Sequence, residues 1–238
     1  MTLIAYHNDP SIKTAILKQL KAHAKADEII KGVYWEGGKG CAVGCTIHSD
    51  DHTEYETRFG IPQMLAKLED CIFEGLPNRK AKAWPIRFMS AIKPGQDLSL
   101  VGWKFLHWLL TDKKVNPGID HPLVRDAIKQ CADVLVPLTK GETISQSAAR
   151  SAENAAWSAA NAAWGVARSA ASAAAASVAR SVARSAASTA AASTASAVWS
   201  AANAAASAAN AAAASVARSA AYVRMSDRLI ELIEDATP

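Results

Sequence analysis

The residues best suited to chemistry lie in the run GGKGCAVGCTIHSDDH, positions 37–52, where Cys41, Cys45, His48 and His52 stand at the spacing C-x3-C-x2-H-x3-H. Thiolate sulfur and imidazole nitrogen are the preferred ligands of tetrahedral zinc, so zinc is the cofactor this set would take. The same positions also fall on one face of a helix, whose ends would stand about 16 Å apart. That is too far for one ion, so a zinc site requires the glycines to break a helix after Cys45. A second chemistry makes Cys41 or Cys45 a nucleophile, with His48 as base and Asp50 or Asp51 orienting it. Backbone N–H groups of the glycine-rich run would then form an anion nest beside Lys39. The order G-x4-G-K-[ST] of a Walker-type phosphate loop is absent. Packing competes with both readings and is preferred for the cysteines, which are often small buried residues. Trp35, Lys39, Asp51 and Glu54, with Tyr34, Glu36, Tyr55 and Glu56, flank the run and would line any pocket beside it.

The elements that must position this run read as helices. Asp9-Pro10 is a helix start, Asp as N-cap and Pro in the first turn. Ile12, Ile16, Leu17, Leu20 and His23 follow at helical spacing, with Gly32 as the expected stop. Val33–Asp51 reads as a loop. Helical pattern resumes near Thr53, and Ile61-Pro62 opens a segment whose apolar face is Met64, Leu65, Leu68, Ile72 and Phe73. Gly75-Leu76-Pro77-Asn78 is a turn by composition, and a helix over 79–92 tolerates or kinks at Pro85. Leu98–Leu110 is the most apolar run and the expected core centre, with His107 a core histidine. His121-Pro122 starts a further helix. Period-two alternation is confined to short runs, so the chain is expected to be all-α.

At Lys140-Gly141 the composition changes. The first 140 residues use 15 Lys and 4 Arg, the remainder 7 Arg and no Lys. This predicts a globular helical domain over 1–140, carrying a Gly/Cys/His loop over 33–56, and a separate element over 141–238. Of the 75 residues of Ser147–Ala221, 39 are Ala and 15 Ser. Within Gln146–Arg168 the large residues Arg150, Asn154, Trp157, Asn161, Trp164 and Arg168 are spaced 4, 3, 4, 3, 4 and fall in one arc of roughly 100°. The stripe then loses phase, and WSAANAA (157–163, 199–205) and AAAASVARS (173–181, 211–219) recur. A close-packed antiparallel hairpin or bundle of Ala-rich helices fits this pattern, ending in an amphipathic segment over 222–235 that packs back on the N-terminal domain or self-associates. Trp157, Trp164, Arg150 and Arg168 suit a binding hot spot, although cover for the N-terminal domain explains the stripe more simply.

Several classes fall away. The net charge of +4 is mild and the lysines of the first helix are interleaved with acids, so there is no strong nucleic-acid signal. Ser185–Ala217 is uncharged for 33 residues, but its Ser and Asn content and lack of large aliphatics argue against membrane insertion. Thr189 and Thr194 share no regular face, which argues against ice binding. No basic region followed by an apolar run opens the sequence, so a cytoplasmic protein with reduced cysteines is expected.

The string YWEGGKGCAVGCTIHSDDH, with FEGLP at 73–77 and an Ala/Ser/Arg/Trp tail ending in DRLIELIED, resembles a group of uncharacterised bacterial and phage-encoded proteins. GKGCAVGCTIH is the most specific part. The resemblance implies a bacterial or phage origin and the pairing of these two halves, and brings no activity with it. The expected function is a non-enzymatic interaction or structural protein presenting the Trp/Arg stripe or the 33–56 loop to a macromolecular partner, by self-association or with another protein. The alternative is a metal- or Cys-dependent enzyme or sensor centred on Cys41, Cys45, His48 and His52.

Overall fold

The computed structural model describes residues 3–115, 125–148, 150 and 215–237. These residues are mostly helical, with one two-stranded ladder, as the hydrophobic periodicity predicts. The chain divides into two compact units, Met1–Val101 with Ser226–Pro238, and Gly102–Met225. The change of composition at Lys140-Gly141 therefore falls inside the second unit. The hairpin or bundle expected of the Ala-rich stretch lies outside the described residues.

Helix α1, Pro10–Lys25, starts as its sequence dictates: the Asp9 carboxylate accepts the Ser11 N–H at 2.7 Å and Pro10 occupies the first turn. Ile16 and Leu20 form its buried stripe. It stops well before Gly32. Asp27 adopts the left-handed conformation at φ 57°, the Asp27 N–H returns to Ala24 O and the Glu28 N–H to His23 O at 3.0 Å. This is a Schellman closure with Asp in the place usually held by Gly, and it folds Glu28 back over His23.

The expected loop of residues 33–51 is partly ordered. Strands β1 (Trp35–Glu36) and β2 (Lys39–Gly40) pair antiparallel. The two residues between them, Gly37 and Gly38, have φ of 56° and 83°, the left-handed pair demanded by a two-residue hairpin turn. Helix α2 (Ala42–Ile47) follows and is wholly buried. Helices α3 (Glu54–Phe59), α4 (Gln63–Gly75) and α5 (Asn78–Ala91) complete the surround, with Pro85 inside α5. Met64, Leu65, Leu68, Ile72 and Phe73 are buried on α4 as the pattern required.

The first unit is closed by the end of the last described helix. Helices α6 (Val101–Thr111), α7 (Arg125–Leu138) and α8 (Ser215–Glu234) are the remaining elements. Gln96, itself buried, donates its amide hydrogens to Ile233 O at 3.1 Å and Ala236 O at 2.8 Å, and the Asp97 N–H reaches Thr237 O. Leu229 and Ile233 are buried there. In the second unit Phe105, Leu106, Leu109, Leu110, Ile128, Cys131 and Leu135 are buried, and Arg224 forks onto the Asp112 carboxylate. Among the described residues, no helix is long and apolar enough to cross a membrane.

Candidate functional site

The Gly/Cys run is built around one carbonyl. Tyr34 O receives the Cys41 N–H at 3.2 Å, and Val33 O receives it at 2.7 Å. A Cβ on Gly40 would stand 2.0 Å from Tyr34 O, and one on Gly44 1.4 Å from it. Both positions must therefore be glycine, because a backbone strand lies directly on the start of α2. These glycines serve close approach, which leaves little of the expected anion nest.

Cys41 caps α2, its Sγ accepting the Gly44 N–H at 3.4 Å. Burial, and next the Asp70 carboxylate, push its thiol far above the ordinary range. Cys45 donates its thiol to Gly40 O at 3.3 Å, and burial raises it to about 12. Burial thus disfavours the thiolate that a nucleophile needs, and a metal ion would have to displace the thiol proton on binding.

The chain breaks at His48, without a glycine. His48 takes the left-handed conformation at φ 59°, its N–H closing α2 on Gly44 O. The two histidines of the motif then part company. His48, at the surface, stacks on Trp35 with centroids 4.2 Å apart and planes 20° from parallel. Its Nε2 lies 3.0 Å from His23 Nε2, while His23 Nδ1 meets Glu28 Oε2 at 2.6 Å. Gln19 on α1 donates to Cys45 O at 2.7 Å and Thr46 O at 3.0 Å, tying α1 to the end of α2. Desolvation, then the neighbouring His23 and Arg58, hold His48 below its ordinary pKa, so it is neutral at pH 7.

His52 turns inward. Its Nδ1 meets Asp50 O at 3.0 Å and its Nε2 lies 3.6 Å from Asp70 Oδ2, beneath the edge of the Tyr34 ring. Asp70 and the adjacent Glu69 are both buried on α4. Tyr55 donates to Glu69 Oε2 at 2.7 Å, leaving Glu69 Oε1 and His52 Nε2 without hydrogen-bond partners. Burial holds the Glu69 carboxyl well above its ordinary pKa, so it is a neutral acid in the core.

The four motif residues are thus distributed over three places, His48 with His23 and Glu28, Cys41 and His52 about Asp70, and Cys45 on Gly40 O. Among the described residues no group of three or more His, Cys, Asp or Glu side chains is placed to hold a metal ion. The proposed pocket residues also separate. Trp35 stacks on His48, Lys39 is exposed, Asp51 accepts from the Thr53 N–H and hydroxyl, and Glu54 pairs with Arg58 at 3.1 Å. An open groove lies instead between α5 and the end of α8, lined by Arg87, Ser90, Asp227, Ile230, Glu231 and Glu234. Arg150 is helical and exposed; Trp157, Trp164 and Arg168 lie outside the described residues.

Glu28, Gln19 and Asp70 were not singled out by sequence, and His23 was read only as part of the stripe of α1. The signal for Asp70 was present, since Glu69-Asp70 interrupts an otherwise apolar face of α4. His23 and Glu28 meet only because the chain turns left-handed at Asp27, which no periodicity reveals. The chain matches no family model, no curated protein and no solved structure.

Proposed function

We propose that this is a non-enzymatic interaction protein, of bacterial or phage origin, that presents the Tyr34–Trp35 base of its hairpin to a macromolecular partner. The observation that carries the reading is Tyr34, a large hydrophobic residue left 38% exposed beside Trp35, on backbone fixed by Gly40 and Gly44. Tyr and Trp dominate binding hot spots, and a prefixed backbone spares the ordering cost of association. The Arg150, Trp157, Trp164 and Arg168 stripe is the second presenting surface.

The alternative, a metal- or Cys-dependent enzyme or sensor on Cys41, Cys45, His48 and His52, has less support because both thiols are buried and the two histidines stand apart. Zinc or iron in stoichiometric amount in purified protein, lost in Cys41→Ala/Cys45→Ala, would restore it. The interaction reading is tested by placing a photo-crosslinking amino acid at position 34 and, as a control, at exposed Asn78. A discrete adduct from position 34 alone is expected in cells, abolished by Trp35→Ala. Trp157→Ala/Trp164→Ala tests the second surface in the same assay. Equal labelling from both positions, or none from position 34, would refute the role of the hairpin.

A further inference from the structure

We infer that His23 and His48 form an open two-histidine site for a borderline divalent transition ion, of the nickel, copper(II) or zinc class, with Glu28 as the positioning residue. The site differs from the Cys/His set read in the motif. It shares only His48 with that set and contains no sulfur.

The geometry rests on two nitrogens. His23 Nε2 and His48 Nε2 are 3.0 Å apart with their rings at 88°. Two imidazole nitrogens each about 2.05 Å from one ion stand about 2.9 Å apart at a right angle and about 3.3 Å apart at the tetrahedral angle. The observed separation therefore suits a square-planar or octahedral ion once the rings turn to face a shared point, and a tetrahedral ion after a few tenths of an ångström of further opening. Glu28 accepts from His23 Nδ1 at 2.6 Å, so the His23 proton sits on Nδ1 and its Nε2 presents a lone pair toward His48. A carboxylate behind a histidine in this way is the common support of a ligating imidazole.

His48 is held for the role. It is a non-glycine residue in the left-handed region, a conformation that persists only where the surroundings enforce it and that clusters at ligand sites. Trp35 fixes its ring plane from one side. Gln19 gives its shortest amide contacts to Cys45 O and Thr46 O, and its Nε2 also stands 3.2 Å from His48 Nε2 on the flank of the site. Without metal, His48 Nε2–H donates to His23 Nε2. With metal, that proton moves to His48 Nδ1, and both rings remain neutral with one proton each. No third side chain completes the set among the described residues, so the remaining positions fall to water or an exogenous donor.

The test is titration of full-length, untagged protein with nickel(II) at pH 7.5 by calorimetry, with Trp emission followed in parallel. One tightest equivalent is expected, with quenching contributed by Trp35. His23→Gln and His48→Asn should each weaken it by at least about tenfold, and Glu28→Gln by about tenfold. Asn tolerates the left-handed backbone, so His48→Asn stays folded by far-UV circular dichroism. His52→Gln should leave the tight equivalent intact. A tight equivalent that survives both His23→Gln and His48→Asn overturns the assignment, as does one lost in His52→Gln alone or its absence from folded wild-type protein.

Discussion

Gly44→Ala sets two expectations of opposite sign against each other. Gly44 lies inside α2, and by helix propensity alone Ala should stabilise it by about 1 kcal/mol. The structure predicts a loss. The added Cβ would fall 1.4 Å from Tyr34 O and 2.5 Å from Tyr34 C, so that carbonyl must retreat by about 2 Å to reach ordinary contact. The retreat breaks the 3.2 Å bond from the Cys41 N–H, worth about 1 kcal/mol, and drags Trp35 off His48. Overpacking a filled site adds about 1–3 kcal/mol. After the propensity gain, the net loss is about 2 kcal/mol, which lowers a urea midpoint by about 1 M. Gly38→Ala is the control, with nothing within 4 Å but φ at +83°, and should cost about 1 kcal/mol. Urea unfolding followed by Trp emission decides it. A Gly44→Ala midpoint equal to or above wild type would refute the assignment of Gly40 and Gly44 to close packing.

Gln96→Ala should destabilise the first unit by about 2–4 kcal/mol, since it removes two bonds to buried carbonyls of the C-terminal segment and the 2.7 Å bond from the Lys93 N–H. Limited proteolysis should release residues after 225 first. Arg87→Ala, which breaks a half-exposed pair with Asp227, should cost under about 1 kcal/mol; equal effects would sink the argument. Glu69 keeps its proton in the fold far above the ordinary 4.5 at which the unfolded chain loses it. Its contribution is full below that value and falls as pH rises, at up to about 1.4 kcal/mol per pH unit. Glu69→Gln should flatten that slope, and an unchanged slope would show that the carboxyl is ionised in the fold. Iodoacetamide at pH 8 should modify Cys41, Cys45 and Cys131 only after unfolding, because burial raises all three thiols; rapid native labelling of Cys45 contradicts this.

Where local chemistry alone decides the structure, the sequence was legible. Asp9-Pro10, the apolar stripe of α4, the turn at 75–78 and the tolerance of Pro85 are all local, and each stands where the residues imply. Gly37-Gly38 is the two-residue signature of a hairpin, visible in the sequence but hidden by its neighbours Gly40 and Gly44, which together with it suggested loop. Gly40 and Gly44 carried the opposite meaning, close approach by the Tyr34 carbonyl a few residues upstream, and composition does not separate the two uses of glycine. The stop of α1 was misplaced at Gly32 because Asp27 does the work expected of glycine. That one left-handed residue also places Glu28 on His23, so the pairing that matters most at the surface depended on an unusual cap. The motif spacing set Cys41, Cys45, His48 and His52 on one helical face, but α2 ends at Ile47, and past the left-handed His48 the two histidines part, His48 to Trp35 and His52 to Tyr34.

The closing of the first unit by residues 226–237 has a consequence during synthesis. Its two parts are separated by the 124 residues of Gly102–Met225, which at about 5–20 residues per second take roughly 6–25 s to translate. Throughout that interval the faces that Leu229 and Ile233 will cover are bare, and Gln96 waits with its amide unpaired. The first unit can therefore close only after the whole of Gly102–Met225 has been made, so its completion waits on the last residues of the chain.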